Sequence, residues 1–251
     1  YKIIYMKEDL LVKFKNIFRT ELIFPPIFEN IPILGFFSKK LPYPFDFKHL
    51  NFLNSFRFFF PKQIHSTNII ELNEQISLNP SLAFFKLEGD AVFTYKKNIF
   101  IGIRTADCVP ILITTKKGDF IGAVHGGWRG SVNKILLKFL KKIINSGIKP
   151  EEILIAIGPH IKVCCYEVGE EVIEKLKANF ENFKSFLVFK NKKIFLDLEK
   201  LNYYQALECL IPQKNIWISK DCTYCLKDYY WSYRFYKKRG GFQIGLIGKL
   251  K

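Results

Sequence analysis

The chain has 251 residues, of which 49% are hydrophobic, 25% are charged and 16% are aromatic. This apolar content argues against a disordered protein, because it supplies enough surface for a buried core. No apolar run reaches the roughly 18 residues of a membrane-spanning helix, and the first residues show no export signal. We therefore expect no membrane association and a cytoplasmic location, with one domain over residues 1–251 in which residues 1–30 form an N-terminal extension.

The formal net charge is +16. Lysines occur singly or in pairs, such as Lys96-Lys97 and Lys141-Lys142, rather than in one basic block. A nucleic-acid-binding segment usually concentrates its basic residues. We therefore expect no specific nucleic acid partner, although the charge leaves a nucleic-acid-binding module as an alternative. A positive field also attracts phosphorylated substrates.

Short apolar runs define the predicted strands. Residues 24–60 are rich in Pro and Phe and have weak periodicity, which predicts irregular structure with short strands. Four runs with β-branched residues then predict strands at 91–94, 99–104, 109–114 and 120–125. The polar segments 96–98 and 116–119 predict hairpin turns between them.

The apolar period changes to about 3.6 residues after this sheet. Residues 132–144 predict an amphipathic helix, with Ser131 as its N-cap and Gly147 as its C-cap. Further strands at 153–157 and 216–219, and helices at 169–180 and 197–209, follow. This interleaving lacks a regular βαβ rhythm, so the sequence predicts an α/β (α+β) sandwich with a mixed β-sheet core and flanking helices.

Three residues with metal-binding side chains are placed where they can meet. Cys108 lies between two predicted strands, and His125 ends the last of the four, 125 − 108 = 17 residues later. With His65, they would offer two imidazoles and one thiolate, which suit Zn²⁺. Spacing alone favours a buried structural cysteine and two hydrogen-bonded histidines. A third hypothesis uses Cys108 as a nucleophile with His125 as its base.

The loop from Gly126 to Gly130 precedes the predicted helix. Gly126 and Gly127 allow close backbone approach to an anion, and Arg129 can bind phosphate bidentately. The alternative is a tight turn whose tryptophan packs in the core. Asp107 and Glu167 are candidates for proton transfer.

The remaining cysteines give weaker signals. Adjacent thiols chelate one ion poorly, so Cys164 and Cys165 are predicted to pack in the core. Cys222 and Cys225 form half of a zinc ribbon without a second such pair, which argues against a structural zinc there. His160 is predicted to be a loop residue. The aromatic segment 228–236 fits base stacking and internal packing equally well.

Together these motifs resemble the laccase-domain family, also called the YfiH family, whose members are described as purine nucleoside phosphorylases with adenosine deaminase activity. The resemblance runs from Ile33 to Ile247 and is strongest from Gln63 to Glu171. It rests on segments 63–65, 89–94, 105–110, 123–130, 157–159, 164–169, 196–198, 222–223 and 232–234.

The resemblance implies a single α/β sandwich domain with zinc on His65, Cys108 and His125, which would also be the catalytic residues. It implies phosphorolysis of adenosine, inosine, guanosine or methylthioadenosine and deamination of adenosine, with a purine nucleoside and phosphate as partners. Some members are linked to editing of peptidoglycan precursors, which suggests a Cys/His hydrolase or amidase as the alternative function. Copper is the alternative metal, but four histidines are too few for a multicopper cluster.

One departure from the family pattern concerns substrate binding. The family usually has Thr-Arg-x-Gly-Gly where this chain has residues 37–41, Phe-Ser-Lys-Lys-Leu. Lys39 would keep the charge of that arginine but not its bidentate fork.

Overall fold

Two six-stranded sheets and one two-stranded hairpin form the β structure. The computed structural model describes residues 2–74, 79, 83–237 and 240–250, and only the backbone of residues 2–5. The first sheet has the order β1-β2-β14-β7-β3-β5, with β1 (Leu22–Ile23), β2 (Ile33–Ser38), β3 (Arg57–Lys62), β5 (Phe84–Glu88), β7 (Ile99–Thr105) and β14 (Gln243–Lys249). The second has the order β13-β10-β8-β9-β6-β4, with β4 (Ile69–Glu71), β6 (Ala91–Thr94), β8 (Val109–Thr115), β9 (Ile121–Gly126), β10 (Ile153–Ile157) and β13 (Ile216–Ile218). The hairpin pairs β11 (Leu187–Lys190) with β12 (Lys193–Leu196).

Six α-helices lie within the described residues: α1 (Lys2–Phe18), α2 (Trp128–Val132), α3 (Ile135–Asn145), α4 (Glu170–Asn179), α5 (Leu198–Glu208) and α6 (Tyr233–Tyr236). Their positions confirm the helices predicted at 169–180 and 197–209. In this part of the chain, no helix combines the length and the apolar character needed to cross a membrane.

Both sheets mix parallel and antiparallel pairs, and apolar side chains pack between them. Ile33 and Phe37 from the first sheet share one buried cluster with Leu112 and Ala123 from the second. A second cluster joins the outer face of the second sheet to α3 and α5. A third, rich in phenylalanine, joins the outer face of the first sheet to α1. The predicted mixed α/β sandwich is therefore confirmed.

The polar segment 96–98 does not form the predicted hairpin. β6 pairs with β9 in the second sheet, whereas β7 pairs with β14 and β3 in the first. The backbone N–H of Asn98 donates to Lys249, and its carbonyl accepts from Arg57. The chain therefore enters the first sheet directly after the turn. The other predicted hairpin, between β8 and β9, is confirmed.

The predicted helix at 132–144 begins later, and Ser131 is not its N-cap. Ser131 lies inside the short α2, where its hydroxyl hydrogen-bonds to Asn202. Lys134 separates α2 from α3 with a left-handed backbone, φ 63° and ψ 42°. The apolar period cannot reveal this break, because the buried positions continue on both sides of it. Gly147 follows the end of α3 with φ +99°, a conformation that favours glycine.

We expect Phe14→Ala to lower the free energy of unfolding by about 3–5 kcal/mol, the usual cost of deleting a buried ring. Phe14 is fully buried in α1, and its ring centroid lies 5.2 Å from those of Phe36 and Phe100. Urea denaturation measures the change. Val12→Ala on the exposed side of α1 is the control, with an expected change below about 0.5 kcal/mol. Equal effects of the two substitutions would show that α1 is not docked.

Candidate metal centre

Two crossovers between the sheets and one strand end bring the three predicted ligands together. His65 lies between β3 of the first sheet and β4 of the second, and Cys108 lies between β7 and β8. His125 is in β9. Their ligand atoms all lie within 4.8 Å of one another. His125 is buried, Cys108 is half-buried and His65 is exposed, so the group opens toward solvent on the His65 side.

The buried carboxylate of Asp90 holds two of these ligands. It accepts hydrogen bonds from the backbone N–H groups of Ile64, His65 and Ser66, at 3.2, 3.0 and 2.6 Å. The Ser66 hydroxyl donates to it at 2.8 Å. This anchor fixes His65 in a left-handed backbone conformation, φ 60°, which costs a non-glycine residue about 1–3 kcal/mol.

Asp90 also orients His125. Its Oδ1 lies 2.8 Å from His125 Nδ1, so Nε2 is the nitrogen left for an ion. A carboxylate on the second ring nitrogen fixes the tautomer and raises the basicity of a metal-binding histidine. Burial would raise the pKa of Asp90, but hydrogen bonds and charge from His125, with hydrogen bonds from Ser66, lower it below its ordinary value. Asp90 therefore stays ionised beside His125.

Gly127 leaves the space that the three ligands surround. A Cβ at this position would lie 3.0 Å from His65 Cδ2, 3.2 Å from Cys108 Sγ and 3.5 Å from His125 Cε1. The backbone at Gly127 is extended, with φ −65°, so it is the space rather than the conformation that requires glycine. Two imidazoles and one thiolate around an open space fit a tetrahedral zinc site with one free position.

Cys108 and His125 influence each other's ionisation. Burial alone would raise the pKa of the Cys108 thiol, but the charge and hydrogen bonding of His125 and His65 lower it. Burial alone would lower the pKa of His125, but Cys108 and Asp90 raise it. The pair therefore favours a thiolate beside an imidazolium, and a thiolate is the form that binds metals.

Asp107 fixes the turn that carries Cys108. Its carboxylate accepts hydrogen bonds from the Thr223 hydroxyl at 2.6 Å, the Ser232 hydroxyl at 3.0 Å and the Arg234 backbone at 2.7 Å. Burial raises its pKa despite these donors. Asp107 itself has φ 87°. These contacts give it a positioning role, and its predicted part in proton transfer stays a prediction.

The phenol of Tyr166 is close enough to Cys108 and to two arginines for their charges to act on it. Burial raises the pKa of its phenol, the charges of Cys108 and Asp107 raise it further, and Arg234 and Arg129 oppose this. The Arg234 guanidinium lies 5.0 Å from the Tyr166 ring centroid. Arg129, in α2, stacks on Trp128 at 4.3 Å. Two cations therefore act on Tyr166, whose ionisation the Cys108 thiol also influences.

Glu167 and His160, two other candidates, have different surroundings. The Glu167 carboxylate accepts a hydrogen bond from Lys193 Nζ at 2.8 Å, and its backbone carbonyl accepts one from the Arg234 guanidinium. His160 is fully buried, with Nδ1 2.8 Å from the Gly158 carbonyl. Burial lowers its pKa to about 3, so it is neutral. Within the described residues, neither belongs to a group with metal-ligand geometry.

The expected core packing of Cys164 and Cys165 is wrong. Cys164 is exposed and Cys165 is half-buried, because both lie in a turn that leaves β10 at the molecular surface. The structure brings them to Cys222 and Cys225, and all four sulfur atoms lie within 4.8 Å of one another. The CxxC pair Cys222 and Cys225 therefore lies beside a second cysteine pair, whose members are adjacent in sequence.

The aromatic segment 228–236 is partly packed inside the protein, and the role of its exposed rings in base stacking stays a prediction. Tyr230 is fully buried, whereas Tyr229 and Tyr233 are more than half exposed. Lys39, which was expected to replace the charge of the family's arginine, pairs with Glu21 at 2.5 Å and lies 4.4 Å from the Tyr229 ring centroid. The lysine side chain is therefore already occupied by protein groups.

A comparison with known families decides the classification. The profile of the family described as "Multi-copper polyphenol oxidoreductase laccase" matches residues 47–249. The chain belongs to this laccase family.

Relatives of this laccase-family chain include enzymes. It is 37% identical over 169 residues to a purine nucleoside phosphorylase of Aquifex aeolicus, covering 67% of this chain and 72% of that protein. It is 32% identical over 169 residues to adenosine deaminase RL5 from an unknown prokaryotic organism, covering 66% and 64%. The crystal structure of the hypothetical protein YfiH from Bacillus licheniformis has the same fold, with a TM-score of 0.75 and 23% identity over 87% of this chain and 93% of that one.

Asp90 was not predicted as a functional residue, although it lies in segment 89–94, one of the segments that carry the family resemblance. We expect Asp90→Asn to weaken zinc binding about 10- to 100-fold, the usual effect of removing a carboxylate behind a metal-binding histidine. Competition with a chelator measures the affinity. Asp119→Asn, an exposed carboxylate in the β8–β9 turn, is the control. Unchanged affinity in a folded Asp90→Asn protein would contradict this role.

Gly127→Ala tests the space between the ligands. The added methyl would meet His65 and Cys108 at 3.2 Å or less, so we expect zinc affinity to fall at least about tenfold while the fold persists. Gly169→Ala is a matched control, because Gly169 also precedes a helix with an extended backbone and its Cβ would meet nothing within 4 Å. Similar zinc affinities for both variants would show that the space is not the binding site.

Proposed function

We propose that this chain is a zinc-dependent purine nucleoside phosphorylase with adenosine deaminase activity. The convergence of His65, Cys108 and His125 on one open space carries the proposal. It is supported by relatives at 37% and 32% identity that are named as a purine nucleoside phosphorylase and an adenosine deaminase. The proposal includes a single domain over residues 1–251 that acts in the cytoplasm.

His65, Cys108 and His125 would hold the zinc ion. With three protein ligands, zinc supplies a fourth position that activates water or polarises a substrate atom near neutral pH. Asp90 would accept the proton on Nδ1 and so orient Nε2 toward the ion, and Nε2 would bind the ion in place of its own proton. The exposed His65 leaves the substrate's approach open.

Arg129 and Arg234 would bind phosphate beside Tyr166. In phosphorolysis, a phosphate oxygen forms a bond to C1′ of the ribose, and the purine leaves with the electron pair of the broken C–N bond and takes up a proton. In deamination, water adds at C6 of adenosine and ammonia leaves. Only the first reaction needs an anion site, which the two arginines and the Gly126-Gly127 backbone would supply.

A thiol hydrolase or amidase is the second candidate. Burial raises the pKa of the Cys108 thiol, but the charge and hydrogen bonding of His125 lower it by more. A lowered thiol pKa favours this candidate, because the thiolate is the nucleophile. Such a dyad would work without metal. Chelated protein that keeps a hydrolytic activity sensitive to thiol alkylation would support this candidate over the first.

We expect the zinc-loaded protein to convert adenosine and phosphate to adenine and ribose 1-phosphate, and adenosine alone to inosine. Cys108→Ala should abolish both products and the metal held by His65, Cys108 and His125. Chromatography of the bases and metal analysis measure the two effects. Cys209→Ala, a buried cysteine that belongs to neither cysteine-containing group, is the control. The absence of product across a range of nucleosides would refute the proposal.

Arg129→Ala separates the two reactions. We expect the KM for phosphate to rise about 10- to 100-fold, since a hydrogen bond to a charged group contributes about 1.5–3 kcal/mol. Deamination, which uses no phosphate, should change little. The KM for phosphate of Arg129→Lys should lie between those of the unmodified chain and Arg129→Ala, because lysine keeps the charge without the bidentate fork. Equal losses in both reactions would assign Arg129 to the metal centre or to the fold.

A further inference from the structure

Four cysteines outside the candidate metal centre converge at one end of the second sheet. Cys164 and Cys165 follow β10, and Cys222 and Cys225 follow β13. These two strands pair in parallel, so the segments after them leave the sheet at the same edge. His160 and Cys222 continue the parallel pairing beyond the strands.

The sulfur atoms have the spacing of a tetrahedral metal site. Four of the six Sγ–Sγ distances are 3.6 Å for Cys164–Cys165, 3.4 Å for Cys165–Cys225, 3.7 Å for Cys164–Cys225 and 3.8 Å for Cys164–Cys222. All six lie within 4.8 Å. A tetrahedron with zinc–sulfur bonds of about 2.3 Å has edges of about 3.8 Å. The observed spacing therefore matches four ligands around one ion.

Burial of apolar surface does not account for this arrangement. Cys164 and Cys225 are exposed, and only Cys222 is buried. Exposed thiols gain little from mutual contact, and four thiolates at this spacing repel one another unless a cation lies between them. The grouping therefore points to a ligand rather than to packing.

The backbone around Cys222 prepares its sulfur for a cation. The N–H of Lys162 donates to Cys222 Sγ at 3.4 Å, and the backbone amides of Tyr224 and Cys225 also hydrogen-bond to it. The turn at 162–166 is closed by Cys165 N–H to the Lys162 carbonyl, at 3.0 Å. Hydrogen bonds to the ligand atoms orient them and support the thiolate form.

We propose that Cys164, Cys165, Cys222 and Cys225 bind a second Zn²⁺ as four thiolates. Each thiol releases its proton to solvent on binding, and no electron is transferred. Thiolate ligands in a tetrahedron select zinc among the common hard and borderline cations. Four protein ligands leave no position for water or substrate, so this site is structural.

The site would tie two segments that support the candidate metal centre. Tyr166 follows Cys165, and Thr223 lies between Cys222 and Cys225 and donates to Asp107 at 2.6 Å. Asp107 precedes Cys108 in the chain. A zinc ion on the four cysteines would therefore hold the Tyr166 turn and the anchor of the Cys108 turn in one rigid unit.

Metal analysis of the purified full chain, loaded with zinc chloride and then desalted, tests the proposal. We expect two equivalents of zinc per chain. Cys164→Ser and Cys225→Ser, both at exposed positions, should each retain one equivalent, and Cys108→Ala should also retain one. Cys108→Ala combined with Cys225→Ser should retain none. Cys209→Ala should keep two.

Cobalt substitution identifies the ligands of each equivalent. Cobalt in Cys108→Ala should show the intense thiolate charge-transfer bands of a four-sulfur site, and these bands should be lost when Cys225→Ser is added to that variant. The proposal would be overturned if the unmodified chain held only one equivalent of zinc and Cys108→Ala held none. An intact mass two or four hydrogens lighter than that of the reduced chain, which would show disulfides, would also overturn it. Because metal content is measured independently of turnover, failure here is distinguishable from failure of the proposed enzyme activity.

Discussion

The hydrogen bonds around the buried Asp90 carboxylate are the constraint on which the candidate metal centre depends. Three successive backbone N–H groups and one hydroxyl from residues 64–66 meet this carboxylate on one side, and His125 Nδ1 meets it on the other. Burying a carboxylate without such partners would be strongly unfavourable. With them, one side chain fixes the backbone of His65 and the ring of His125. The two ligands are therefore positioned before any ion binds.

The same principle recurs at Asp107, with a different outcome for its charge. Asp90 has His125 as a positive partner, and its pKa is lowered although burial acts the other way. Asp107 has hydroxyl and backbone donors, and there burial prevails and its pKa is raised. Both carboxylates nevertheless anchor connections that cross from the first sheet to the second. Buried carboxylates thus make rigid the loop segments that carry His65 and Cys108, which regular secondary structure does not hold.

The sequence predicted local elements more completely than it predicted pairing. The apolar runs at 91–94 and 109–114 indicated strands because both faces of these strands are buried. The same runs contain no information on which sheet each strand joins, so the hairpin at 96–98 was wrong. The strands β10 and β13 were also predicted, but their parallel pairing was not. That pairing brings Cys165 and Cys222 together, although 222 − 165 = 57 residues separate them.

At the candidate metal centre too, the sequence predicted individual residues better than it predicted the contacts between them. His65, Cys108 and His125 were named from motifs, since they lie on three different elements without a regular spacing. Asp90 stands in one of these motifs but was given no predicted role, although a single carboxylate directly before a fully buried strand indicates a buried acceptor. Lys134 gave no signal for its left-handed backbone, because lysine is an ordinary helix residue. Long-range geometry, rather than local preference, determines each of these features.

The two proposed reactions place different demands on the same centre. Phosphorolysis needs an anion as nucleophile and attacks a sugar carbon, whereas deamination needs water and attacks a ring carbon. The net charge of +16 attracts any anion at long range and cannot select between nucleophiles. Selection must therefore come from short-range contacts, and Arg129 and Arg234, whose charges both act on Tyr166, are the cations proposed for phosphate. Because His65 is exposed, the site is open on that side, and the selection between the two proposed nucleophiles rests on these contacts rather than on an enclosing pocket.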